Sequence, residues 1–144
     1  MALHIIKLCV GVETFEELDR WFREEELAHA SQGVPYQPAH TTRMFPKRVD
    51  EILNGGSLYW VIKGVVQARQ RIMDLRPVKG ADGIERCDIV LEPVLHRTEY
   101  QPRRAFQGWR YLDAKDAPPD IRRAEHGNDI PEGMRQELRR LALI

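Results

Sequence analysis

The chain has 144 residues, 42% of them hydrophobic and 31% charged, which suits one core and one domain spanning residues 1–144. Its 22 basic and 22 acidic residues cancel, and this excludes a grossly basic nucleic-acid tail and an acidic disordered chain. No apolar run reaches the ~18 residues of a membrane span, and two cysteines, Cys9 and Cys87, are too few for a disulfide framework, so a cytoplasmic protein without a membrane association is expected.

The neutral total hides an asymmetry. Residues 1–39 carry three basic and seven acidic side chains, residues 40–111 thirteen and eight, and residues 112–144 six and seven. A basic middle between acidic ends points to a local positive patch for a polyanion, or to acidic and basic segments pairing across the fold.

In chain order, Leu3–Val10 reads as a short buried strand closed by Gly11. It carries Lys7 and lacks a small-residue cleavage pattern, so no signal peptide is expected there. Thr14 and Glu17 form a capping-box pattern, and Phe15, Leu18, Trp21 and Phe22 share a helical face, so a helix follows and ends near Ala30. The segment from His40 begins with β-branched residues. Pro46 suits the first turn of a short helix whose buried face is Val49, Ile52 and Leu53, and Asn54-Gly55-Gly56 ends it. Ser57–Ile62 is the strongest strand, and after Lys63-Gly64 a second strand runs over Val65–Leu75. Cys87, Ile89 and Leu91 alternate with charged residues as in a half-buried strand, and Trp109–Leu112 reads as a last short one. A polar loop over Asp113–Asn128 leads to a closing helix marked by Met134, Leu138 and Leu141. The order predicts an α+β fold with mostly antiparallel central strands.

The run GSLYWVIKG with QARQ, DG-I-x-RC after it and FQGWRYL later, resembles a family of uncharacterised bacterial proteins of about this length. They are found largely in alphaproteobacteria and are catalogued as a domain of unknown function. The order of a charged segment, a short helix, a Gly-Gly turn, an aromatic strand and G-x-V-x-A is similar to the PUA-like superfamily of PUA, ASCH and EVE domains. That resemblance implies a partly closed antiparallel β-barrel with two N-terminal helices and a C-terminal helix, and binding of RNA or a modified base.

Three basic groups are candidates for that binding. A two-residue Lys63-Gly64 turn would set Trp60 beside Gln67, with Arg69 and Arg71 continuing the row, a ring among guanidinium groups suited to a base and its phosphate. Alternatively Trp60 is core and the arginines pair with Asp74, Asp88 or Glu92, and a β-bulge would shift the faces by one residue. Thr41, Thr42, Arg43, Lys47 and Arg48 form the second group, suited to phosphate or carboxylate oxygens or to a plain solvated helix face. Arg103, Arg104 and Arg110, interleaved with Phe106, Trp109 and Tyr111, form the third.

Catalysis has less support than binding. The five histidines are scattered, no metal motif or cofactor loop occurs, and both cysteines sit in strands. The likeness to ASCH-type amidohydrolases, which use a Thr, a Lys and a Glu, offers Thr42, Lys47 and Glu51 for a hydrolase of a modified nucleoside or similar small molecule. Their matching motif is absent, so no catalytic residue is assigned. An RNA-binding module is the expected function. A protein-interaction module using the acidic first helix is a third reading.

Overall fold

The computed structural model describes residues 2–33 and 35–121. The expected C-terminal helix around Met134–Leu141 lies outside the described residues. Strand β1 (Leu3–Leu8) leads to helix α1 (Phe15–Ser31), β2 (Ala39–Thr42) and the short α2 (Val49–Leu53). Then come β3 (Ser57–Ile62), β4 (Val65–Lys79), β5 (Glu85–Leu91), β6 (His96–Pro102), β7 (Trp109–Asp113) and a 3-10 turn over Ala114–Asp116.

Local chemistry accounts for the first helix. The Thr14 hydroxyl accepts the Glu17 N–H at 3.1 Å, and the Glu17 carboxylate accepts the Glu13 N–H at 3.1 Å, so two of the otherwise unpaired amides at the helix start are satisfied. Leu18 and Phe22 are buried on the sheet, whereas Trp21 is 52% exposed. At the other helix, Gly56 ends the turn because a side chain there would collide with the carbonyl oxygens of Leu3 and Ile52.

The strands form one mixed seven-stranded sheet, ordered β2-β5-β4-β3-β1-β7, with β6 on the edge of β4 away from β3. The antiparallel centre agrees with the sequence, but β1 and β3 are parallel, Ile5 opposite Leu58, because the α1-to-α2 segment carries the chain back across. The sheet is not closed into a barrel: among the described residues β7 pairs only β1 and β2 pairs only β5. A barrel is therefore a correction to the expected architecture.

Two register shifts set the shape. The β3–β4 turn at Lys63-Gly64 has positive φ at both residues (50° and 78°), the twist that two-residue hairpins favour. Ile62 pairs Val65 and Val61 pairs Val66, but Trp60 then pairs Ala68, which leaves Gln67 as a bulge. A second shift, between Ile72 and Asp74, bends β4. Beyond it, Leu75, Ile89 and Leu91 join the same core as Ile5, Leu58, Trp60 and Phe22. Ile6, Tyr59, Val61, Val66 and Leu112 make a smaller cluster on the opposite face. No helix among the described residues is long and apolar enough to cross a membrane.

Candidate nucleic-acid interface

The loop from β6 to β7 supplies Arg103 and Arg104, and β7 itself supplies Arg110. The Arg103 N–H donates to the Gly64 carbonyl at 2.8 Å, which ties the loop to the β3–β4 turn. Phe106 packs on the smaller cluster, and the Arg110 guanidinium lies 5.8 Å from the Phe106 ring centre. Arg103 is steadied by Gln101, whose Oε1 accepts from Nη2 at 2.6 Å and Nε at 3.1 Å. Arg103, Arg104, Arg110, Phe106 and Tyr111 thus line a groove of about 460 Å³ floored by Ile6 and Leu112. No acidic side chain among the described residues lines it.

Alternation along β7 sends Trp109 and Tyr111 to the face opposite Arg110 and Leu112. Trp109 Nε1 donates to the Met44 carbonyl at 2.8 Å. The Tyr111 hydroxyl accepts the N–H groups of Lys47 at 3.0 Å and Arg48 at 3.3 Å. Residues 43–48 are therefore laid along β7 on the Trp109 and Tyr111 face, opposite the Ile6 and Leu112 floor of the arginine groove. Arg48 grips Glu51 at 2.6 and 2.7 Å and lies 5.5 Å from the Tyr111 ring centre, so its charge is largely offset. Arg43, Lys47, Arg104 and Arg110 have no ion-pair partner among the described residues. Phe45 and Met44 stand exposed beside them.

The first group is not assembled as expected. Trp60 is only 4% exposed and its indole N–H donates to Gln70 Oε1 at 2.9 Å, so it is core and offers no ring to solvent. Gln67 is buried, its Nε2 donating to the Ile62 carbonyl at 3.0 Å. The bulge puts Ala68 in place of Gln67 beside Trp60 and carries Arg69 to the Tyr59 face, and Trp60 itself is buried in the core with Leu18 and Phe22 of α1. Arg69 is held by Asp120 at 2.7 and 2.8 Å and by the Ser57 hydroxyl at 2.9 Å. That pairing raises the Arg69 pKa and lowers that of Asp120. Arg71 is exposed on the same strand, separated from β7 by β3 and β1. Trp109, expected as an exposed ring, is also buried. Period-2 alternation of W-R-Y-L was the available signal for that burial, and also for Tyr111 as the link.

The hydroxyl, amine and carboxylate of the hydrolase reading are not joined. Thr42 Oγ1 accepts the Met44 N–H at 3.3 Å, Thr41 donates to Asp88, and the Glu51 carboxylate is taken by Arg48. Burial pushes the thiols of Cys9 and Cys87 up to about 11, which keeps them protonated near neutrality.

A family model described as "Protein of unknown function (DUF1489)" matches residues 5–144. No curated protein and no solved structure matches the chain.

Proposed function

The chain belongs to the DUF1489 family, and we propose that this member binds RNA through the arginine groove and the basic loop held on the other face of β7. The observation that carries the reading is the convergence of Arg103, Arg104 and Arg110 on one groove without an acidic lining residue. Guanidinium groups recognise phosphate oxygens by bidentate, charge-assisted hydrogen bonds. On the other face of the same edge strand Lys47 and Arg43 add positive charge, and Tyr111 and Phe45, exposed by 36% and 38%, supply rings for unpaired bases. Single-stranded loops suit this surface better than a duplex, because it pairs cations with accessible aromatic rings. The likeness of element order to PUA-like domains agrees with such a role.

Ultraviolet crosslinking of the full chain to an RNA hairpin with a single-stranded loop tests the location. Crosslinked peptides containing Phe45, Phe106 or Tyr111 are expected. Crosslinks confined to α1, or equal labelling with duplex DNA, would overturn the assignment.

A further inference from the structure

On the face of the sheet opposite the arginine groove, α1 leaves a second cavity of about 600 Å³. The end of β1 and the loop after it form one wall, α1 another, and the segment from Tyr36 to His40 a third, with Trp60 at the floor. Its size falls within the range of small-molecule sites, and its lining is rich in rings, among them Trp21, Tyr36, His40 and Trp60.

Three features of the lining select a ligand class. Lys7, half-buried on β1, points to this face with Ile5 and has no ion-pair partner among the described residues. A half-buried ammonium without an ion-pair partner is free to take a ligand's anionic group as its counter-ion. His40 packs edge-on against Trp60 at 5.2 Å, and its Nε2 is buried with no hydrogen-bond partner among the described residues. Burial and the neighbouring Lys7 charge hold His40 toward its neutral form, so Lys7 is the standing cation. Glu25 sits on the α1 wall, where Tyr36 and His29 also stack, their ring centres 4.9 Å apart. With one cation and one carboxylate, Lys7 and Glu25, in its lining, the cavity suits a single negative charge better than a polyphosphate.

We infer that this cavity binds a small planar aromatic ligand carrying one anionic group, with Lys7 holding the anion and the rings of Trp21 and Tyr36 flanking the plane.

The probes are 2-naphthoate and its neutral counterpart 2-naphthamide, titrated calorimetrically into the full chain. The unsubstituted protein should bind one naphthoate roughly tenfold or more tighter than naphthamide. Lys7→Met should bring the two within about twofold, and Lys7→Arg should keep the preference. Equal affinities in the unsubstituted protein, no binding of either probe, or a preference that survives Lys7→Met would overturn the inference. Should Lys7→Met fail to fold, amide NMR of the unsubstituted chain decides. Naphthoate should shift signals in residues 7–12 and 36–40. Shifts centred on residues 103–112 would contradict the cavity as the site.

Discussion

The Tyr111 hydroxyl accepts the Lys47 main-chain N–H at 3.0 Å, across 64 residues of sequence. With the Trp109–Met44 bond beside it, this contact holds a basic loop against the last strand. Two groups of cations that the sequence separates widely are thereby held on one edge strand, one on each of its faces.

Tyr111→Phe should therefore loosen the loop without removing the ring. Losing the shared acceptor should cost about 1 kcal/mol of stability and speed hydrogen exchange at the Lys47 and Arg48 amides. RNA affinity should fall by roughly two- to fivefold. Unchanged exchange at both amides would show that the hydroxyl does not order the loop.

Trp60→Ala should act on folding, because the indole is buried and bonded to Gln70. Truncating such a ring typically costs ~3–5 kcal/mol. Denaturant unfolding should show that loss, and a variant of unaltered stability would contradict the core placement. The comparison separates a structural tryptophan from a stacking one.

Acid sensitivity should begin with histidine. The His4 ring accepts the Ser57 N–H on Nδ1 at 2.9 Å, and burial, with Arg69 nearby, lowers its pKa below 6.5. The unfolded chain then binds more protons than the folded one between the folded pKa and 6.5, so stability falls as pH drops through that window. His40, also lowered, adds in the same direction. Asp120 is held below 3.8 by Arg69, so its contribution is lost only at more acidic pH. Urea unfolding at about pH 7.5 and 5 should give the lower midpoint at pH 5, and His4 should titrate below 6.5 by NMR. A midpoint that rises on acidification would contradict this.

Much of the fold was legible where a local signal exists. Thr14 caps α1 as its spacing with Glu17 implies, and Lys63-Gly64 makes the hairpin turn with Ile62 opposite Val65. The burial of Trp60 was not legible, because both faces of β3 are covered and its apolar run reads alike on either side, and the bulge at Gln67 that parts Trp60 from Arg69 leaves no mark in the sequence. β6 (HRTEYQP) escaped for a related reason. It is mostly polar and half-buried, and it is a strand because the edge of β4 offers it hydrogen bonds. The parallel β1–β3 pairing is set by the crossover between them, a long-range property. Of the candidate site, Arg103, Arg104 and Arg110 stayed together because they lie within one short loop and strand, whereas Arg69 was captured by Asp120, 51 residues away.

The central claim is phosphate contact by the arginine groove, and the salt dependence of RNA binding tests it most directly. Affinity for an RNA hairpin with a single-stranded loop would be measured by fluorescence anisotropy between about 50 and 200 mM salt, for the unsubstituted chain and for Arg104→Gln/Arg110→Gln. Each lost contact to a single strand should remove about 0.7 from the slope of log K against log salt, so the double variant should be shallower by about 1.4. Binding that is insensitive to salt, or a slope that the double substitution leaves unchanged, would contradict the account.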